Sequence, residues 1–258
     1  MTRSIRIGLI SEGEAELGVS VPFISDPKQG GRVIERSKEG ALHTLIRRQL
    51  TFAGLSDCHF VHRHRTSKDN LWRYRTGHSI LDPQYLKMTV AAWKPEEIDF
   101  IAVVVDEDGD ANRINQLAHV VQIIGTYFSN GSDNQIGVLG VTGLAIRNFD
   151  AWLLADVRTV SGFLRISPPE GLPDNLETLP FERSSLQNAK NILEDMIDRS
   201  SYLPNNPRVS NNLLEAKWDI AKIVVLDEIK RRCAGGFGTF VSSLMSTTSA
   251  IQDKISDD

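Results

Sequence analysis

Short apolar runs and helical apolar stripes alternate along the first half of the chain. Short and mostly apolar runs, typical of strands, occur over residues 5–10, 58–61, 101–105 and 136–141. Between them, apolar residues recur at helical spacing over 38–52 and 111–128. The run at 101–105 is mostly β-branched, as in a central parallel strand that is buried on both faces. This alternation predicts an α/β fold with a parallel sheet.

Beyond residue 143 the apolar pattern predicts helices rather than further sheet. Helical stripes run over 144–156, 186–197 and 211–232, and a Gly-rich turn at 235–238 precedes a last short helix that frays from residue 246. Prolines break the chain between 161 and 206, which predicts an insertion or a peripheral helical layer. Residues 19–31, rich in Pro, Gly and Ser, predict a loop. We expect an α/β core at 1–158 and a helical region at 159–258 packed on it.

Composition and charge narrow the class of protein. A chain of 258 residues with 41% hydrophobic and 24% charged residues can bury a full core and needs no disorder. The net charge of −4 gives no overall attraction to nucleic acid, so any such binding requires a local basic patch. Two distant cysteines and the absence of a run of about 18 apolar residues predict a cytoplasmic protein without a signal peptide or membrane span.

Three carboxylates follow the central apolar run directly: Asp106, Asp108 and Asp110. Ligands of α/β proteins bind at the carboxyl ends of such strands. In extended chain Asp106 and Asp108 point the same way, so their oxygens converge and repel each other unless a cation lies between them. Mg²⁺ is the cation that such oxygens prefer. The alternative is an acidic turn that ends a strand, where Asp and Gly are common anyway.

Two further acids lie at comparable positions. Glu12 follows the first apolar run, and Gly13 permits a tight turn that leaves this carboxylate at the strand's end. Asp150 and Asp156 lie in the predicted helix 144–156, about 240° apart around its axis, so both cannot face one metal. Asp150 is the better candidate, although a carboxylate near a helix start is also favoured by the helix dipole.

A basic stretch between residues 62 and 78 interleaves cations with Trp72 and Tyr74. Its arginines that could meet phosphates are Arg63, Arg65, Arg73 and Arg75. Cations beside rings that stack on bases predict a single-strand or end-binding surface for nucleic acid. A solvated loop explains the same residues. Histidines near this stretch have no zinc-site spacing, which disfavours a structural zinc.

Taken in order, these motifs resemble a known family. Glu12-Gly13, followed later by Asp106-x-Asp108-Gly109-Asp110, resembles the two signature motifs of the Toprim domain, the α/β module of topoisomerases, primases and overcoming-lysogenization-defect nucleases. The stretch Phe-Asp-Ala-Trp-Leu-Leu-Ala-Asp at 149–156 is similar to the Glu-(Ala or Ser)-Trp-Leu-Leu-Ala-Asp segment of a Toprim-like bacterial family found beside ATPases in defence islands. Here Asp150 replaces the usual Glu and is one methylene shorter. The stretch 231–240 also resembles that family's ending.

The resemblance implies a Toprim-like parallel sheet with an added helical C-terminal region, and a Mg²⁺- or Mn²⁺-dependent nuclease that acts on DNA or RNA. Asp106 and Asp108 would hold the metal, and Asp110 and Asp150 would complete its surroundings. Glu12 would be a metal ligand or a general acid/base. Lys217 is a candidate for neutralising the transition state.

The same resemblance implies a partner and leaves alternatives open. The chain has no ATP-binding Gly-x-x-x-x-Gly-Lys-(Ser or Thr) loop, so we expect an ATPase subunit to control it in anti-phage defence, docked on 211–244, and a homo-oligomer is also possible. One alternative is a non-catalytic subunit that uses the fold as a scaffold for nucleic acid or a partner. A Rossmann-type nucleotide enzyme ranks last, because the first strand lacks a Gly-x-Gly-x-x-Gly turn.

Overall fold

The computed structural model describes residues 4–24, 33–61, 80–91, 93–129, 137–202 and 212–257. Its strands are β1 (Ile5–Ile10), β2 (Val19–Ile24), β3 (Val33–Lys38), β4 (Cys58–Phe60), β5 (Phe100–Asp106) and β6 (Leu139–Ala145). Four of them form a wholly parallel sheet in the order β4-β1-β5-β6, and β2 pairs with β3 in an antiparallel ribbon. The predicted α/β class with a parallel sheet is confirmed.

Helices cover the sheet and form most of the second half of the chain. They are α1 (Glu14–Leu17), α2 (Ala41–Phe52), α3 (Pro83–Val90), α4 (Arg113–Ser129), α5 (Asp150–Leu154), α6 (Val157–Leu164), α7 (Ala189–Asp198), α8 (Asn212–Ile223), α9 (Leu226–Arg232) and α10 (Thr239–Asp257). Short 3₁₀ turns lie at Pro95–Glu97 and Leu176–Thr178, and a π turn lies at Ala234–Gly238. The predicted helical C-terminal region is confirmed. No helix within the described ranges is long and apolar enough to cross a membrane.

Alternation along β5 explains why the sheet is covered on both sides. Phe100, Ala102 and Val104 join the larger core cluster, which contains α2 and the C-terminal helices. Ile101 and Val103 join the second cluster, formed with α3 and α4. Successive side chains of a strand point to opposite faces, so a strand with helices on both sides must be apolar at every position. The prediction of a central strand buried on both faces is therefore confirmed.

Two boundaries in the first 160 residues differ from the sequence prediction. Val19–Ile24 is a strand, not part of a loop. Its Pro22 is tolerated because a two-stranded ribbon has free edges that need no N–H donor at every position. The fourth sheet strand extends to Ala145, whose partner is Asp106, so residues predicted as helix are strand. The helix begins only at Asp150, after a turn in which Arg147 has φ of 72°.

The C-terminal half is more deeply packed than predicted. Leu193 and Met196 of α7 are fully buried in the larger cluster, so this layer is not peripheral. The predicted helix at 211–232 is interrupted near Val225, whose backbone N–H donates to the Asp156 carboxylate at 3.1 Å. The last helix is 19 residues long rather than short and frayed. Thr248 tolerates burial there because its hydroxyl donates to the Leu244 carbonyl at 3.0 Å.

A buried carboxylate fastens the Gly-rich π turn to the sheet. Glu177 accepts backbone N–H groups from Gly235 at 3.0 Å and from Gly236 at 2.6 Å. The turn also lies close to β6, because a Cβ on Gly236 would come 2.5 Å from the Leu144 carbonyl oxygen. Real Cβ contacts are never that short, so the turn requires glycine at position 236 for space.

We therefore expect Gly236→Ala to lower the free energy of unfolding by roughly 2–4 kcal/mol, through overpacking and the loss of a charge-assisted hydrogen bond. Gly125→Ala is the matched control, because a Cβ at this position of α4 would meet no atom within 4 Å. In a helix this control substitution should stabilise by up to about 1 kcal/mol. Urea unfolding measures both variants, and equal stabilities would contradict the packing argument.

Candidate acidic site at the carboxyl edge of the sheet

The carboxyl ends of three adjacent strands bring distant acids to one edge. Glu12 lies two residues beyond the end of β1, and Asp106 is the last residue of β5. Asp150 begins α5, which follows β6 after a short turn. Because β1, β5 and β6 are parallel neighbours, these ends lie side by side. The structure thus places the predicted acids Glu12, Asp106 and Asp150 at the same edge of the sheet.

Asp106 is the centre of this group. Its Oδ1 accepts the backbone N–H of Phe149 at 2.7 Å, which fixes the carboxylate against the turn after β6. Burial raises the pKa of Asp106 well above its usual range, and the charges of Glu16, Glu12, Asp108 and Asp150 raise it further. A carboxyl group with four acidic neighbours remains ionised most easily when a cation is close.

Some residues after Asp106 contribute to the acidic site, and others make hydrogen bonds within the turns around it. Asp108 adopts φ of 49°, so its carboxylate extends from a turn. The prediction that Asp108 lies in extended chain is therefore wrong. Glu107 points elsewhere, as predicted, with its Oε2 accepting the backbone N–H of Arg147 at 3.1 Å. Asp110 accepts the backbone N–H of Asn112 at 2.9 Å, which is a local turn at the start of α4.

Arg113, a residue that the sequence analysis missed, ties this turn to Glu12. It is the first residue of α4 and only 1% exposed. Its Nη1 lies 2.8 Å from Glu12 Oε1 and also donates to the Asp106 carbonyl, while its Nη2 lies 3.6 Å from Asp108 Oδ2. Its Nε has no hydrogen-bond partner among the described residues. The available sequence signal was that no other Lys or Arg occurs between Lys94 and Arg147.

Glu16 is a second residue that the sequence analysis missed. It lies on α1, one helical turn beyond Glu12, and its charge has the largest effect of any neighbour on Asp106. Burial, followed by the charges of Asp150 and Glu12, raises the pKa of Glu16 to about 7, although a backbone hydrogen bond and Lys217 oppose the shift. The spacing of four residues after Glu12 was the signal in the sequence.

Lys217 brings the C-terminal region into the site. Its Nζ lies 2.7 Å from Asp150 Oδ1 and 3.4 Å from Glu194 Oε1, and the residue is only 4% exposed. Burial lowers the pKa of Lys217, but Asp150 and then Glu194 more than offset it, so the pKa rises and the ammonium stays charged. The neighbouring Trp218 donates from Nε1 to the carbonyls of Glu14 and Ala15, both at 3.1 Å, and so holds α8 against α1.

Asp156 has a structural role away from these acids. Its carboxylate accepts the backbone N–H groups of Thr159 at 3.3 Å and Val225 at 3.1 Å, capping α6 and anchoring the start of α9. This agrees with the expectation that Asp150 and Asp156 do not face one metal. The basic stretch proposed to bind nucleic acid, with Arg63, Arg65, Arg73 and Arg75, lies outside the described residues.

The side chains at this edge are of the type that binds a hard divalent cation, but they are not now arranged as a formed metal site. Across the described residues, no three His, Cys, Asp or Glu side chains are grouped so as to hold a metal ion. Mg²⁺ does not require such a cage, because it keeps several waters and is usually bound through one or two carboxylates. Asp106 and Asp108 meet that requirement of donor type and charge. Comparison with known protein families, characterised proteins and solved structures finds no match to this chain.

The raised pKa values predict how stability depends on pH when metal is removed. Asp106 and Glu16 hold protons in the folded state at a pH where the unfolded chain has released them. Stability should therefore fall as pH rises from about 4.5 through about 7, by on the order of 1–3 kcal/mol. Asp106→Asn should flatten this dependence, since Asn can still accept the Phe149 N–H. Urea unfolding in EDTA measures the free energy of unfolding at each pH, and Asp227→Asn, at an exposed position, is the control. The same pH dependence in both variants would contradict the prediction.

Lys217 and Lys222 offer a matched pair on one helix. Lys217→Met leaves buried Asp150 without its cation and should lower the free energy of unfolding by about 3–5 kcal/mol. Lys222 is 59% exposed and pairs with Asp219 at 2.6 Å on the surface, so Lys222→Met should change it by less than about 1 kcal/mol. Denaturant unfolding at neutral pH measures both variants. A Lys217→Met protein as stable as the wild type would mean that the ion pair with Lys217 does not stabilise buried Asp150.

Proposed function

We propose that this protein is a Mg²⁺- or Mn²⁺-dependent nuclease that hydrolyses phosphodiester bonds in DNA or RNA. The observation that carries the proposal is the position of half-buried Asp106 at the end of the central strand, among four other carboxylates that raise its pKa. Such an excess of negative charge is costly to maintain without a cation. The resemblance of these motifs to the Toprim family points to the same chemistry.

Asp106 and Asp108 would hold the ion, with Glu12 as a further ligand or a general acid/base. Asp150 would act from the surroundings of the ion, positioned by Lys217 at 2.7 Å. Asp110 would complete the surroundings of the ion from the turn, where its carboxylate accepts the backbone N–H of Asn112. When bound, the ion would offset the charge that develops on the phosphate and activate or position water.

The two buried cations of the site have distinct parts in this proposal. Lys217 stays protonated, so it serves as a fixed positive charge rather than as a base. Arg113 holds the Glu12 carboxylate and the turn after Asp106 in register, through contacts to both. A fixed cation near a reacting phosphate stabilises negative charge in the transition state without reorganisation.

We propose that an ATPase subunit controls this activity in a cytoplasmic anti-phage system, as the resemblance implies. The apolar stripe of α8, including Trp218 and Ile220, is buried in the core and so does not provide the docking surface. Docking on the C-terminal region would have to use its exposed polar face. A homo-oligomer is compatible with the same arrangement.

A second candidate, a non-catalytic scaffold that binds nucleic acid or a partner, is favoured by one specific observation. Arg113 already neutralises Glu12 at 2.8 Å, and Lys217 already neutralises Asp150. In that case the acidic edge would be balanced internally and would require no metal. Calorimetry at millimolar Mg²⁺ or Mn²⁺ separates the candidates, because only the nuclease binds the ion.

For the nuclease we expect metal-dependent cleavage of DNA or RNA that falls at least about a hundredfold in the Asp106→Ala, Asp108→Ala double variant, since metal ligands contribute several kcal/mol to the transition state. Asp227→Ala, an exposed acid on α9, is the control and should cleave normally. The measurement is cleavage of labelled single-stranded and duplex substrates in Mg²⁺ and in Mn²⁺. Cleavage that survives unchanged in the double variant would end the assignment.

A further inference from the structure

A loop after the Leu176–Thr178 turn lies against the acidic turn that follows β5. We call residues 181–186 the rim loop. The ring of Phe181 packs on Gly109, because a Cβ at Gly109 would come 2.7 Å from Phe181 Cδ2. The same side chain is 43% exposed, so part of the ring faces solvent beside the turn that carries Gly109.

The rim loop is fixed by two asparagines at the start of α7. Asn188 Nδ2 donates to the carbonyls of Pro180 and Phe181, both at 3.1 Å. Asn191 Nδ2 donates to the carbonyls of Arg183 and Ser185, both at 2.8 Å. A loop held at three of its own carbonyls and at the one that precedes it is ordered before any ligand arrives, so a ring that it carries loses little entropy on binding.

Positive charge accompanies the ring. Arg183 is 85% exposed, and its Nη2 lies 4.0 Å from Asp108 Oδ2, close enough to reach a phosphate held at the acidic edge. The Arg147 guanidinium carbon lies 5.9 Å from the centre of the Phe181 ring. The rim loop therefore combines a preset ring with one cation of its own, Arg183, and lies beside a second, Arg147, although the chain as a whole is acidic.

We propose that the rim loop binds single-stranded nucleic acid, with Phe181 stacking on an unpaired base and Arg183 pairing with a neighbouring phosphate. A ring stacks on any base, whereas a paired base inside a duplex presents no free face. The inference rests on the proposed function and narrows its substrate to nucleic acid that is single-stranded or frayed where it meets the site.

Fluorescence anisotropy in EDTA, where metal-dependent cleavage is blocked, tests the rim loop with a labelled oligothymidine of about 15 nucleotides. Phe181→Ala should weaken binding about fivefold to a hundredfold. Arg183→Gln should weaken it and reduce the salt slope by about one phosphate contact. A second probe with abasic sites removes the stacking partner, so wild type and Phe181→Ala should bind it equally.

The controls are chemically matched and distant from the acidic edge. Phe52, also exposed, ends α2 just before β4 begins, at the opposite edge of the sheet. Arg199 follows the end of α7, whereas the rim loop is fastened to its start. Phe52→Ala and Arg199→Gln should bind both probes as the wild-type protein does.

Two results would overturn the inference: no binding of oligothymidine by the wild-type protein, or equal binding by wild type, Phe181→Ala and Arg183→Gln. The cleavage assay distinguishes this failure from failure of the nuclease. If cleavage is metal-dependent and requires Asp106 and Asp108 while the rim-loop variants bind normally, the rim-loop proposal is wrong and the nuclease proposal stands. If the variants lose binding as expected but the wild-type protein does not cleave, the rim-loop proposal is supported and the nuclease proposal is wrong.

Discussion

The rest of the site depends on one electrostatic constraint, which is that Asp106, half-buried at the end of β5, lies among four other carboxylates. Burial disfavours its charged form, and Glu16, Glu12, Asp108 and Asp150 disfavour it further. Protons, internal cations or a metal ion can relieve this repulsion, and the protein uses at least the first two. Glu16 has its pKa raised to about 7, and Arg113 and Lys217 supply fixed positive charge.

The fold imposes this constraint and also supports it. Parallel strands deliver Glu12 and Asp106 to one edge, because β1 and β5 are hydrogen-bonded neighbours with aligned carboxyl ends. The C-terminal helices then close the edge, since Lys217 pairs with Asp150 while Trp218 fastens α8 to the segment after Glu12. The acidic edge is thus built by both of the regions expected from the sequence, and the C-terminal region takes part in the site rather than only covering the sheet.

Apolar and acidic patterns along the sequence predicted those parts of the site that depend on neighbouring residues alone. An uninterrupted apolar run that ends in acid was enough to place Asp106 at the end of a buried strand, and the run over 5–10 placed Glu12 just beyond the end of another strand. Arg113 was missed because its partner Glu12 lies 101 residues away, and no spacing rule reports such a contact. The strand at Val19–Ile24 was missed because Pro and Gly suggested a loop, although an edge-rich ribbon accepts proline. The length of α10 was missed because its Ser and Thr residues look solvated, whereas Thr248 is buried with its hydroxyl bonded to the preceding turn.

Whether this acidic edge is a metal site is tested most directly by a crystal structure of the protein soaked in Mn²⁺, with the ion located by anomalous scattering. We expect a peak about 2.0–2.2 Å from carboxylate oxygens of Asp106 and Asp108, with water completing the coordination. A well-ordered acidic edge without any anomalous peak, in which Arg113 and Lys217 alone balance the carboxylates, would contradict it and leave the scaffold as the better account.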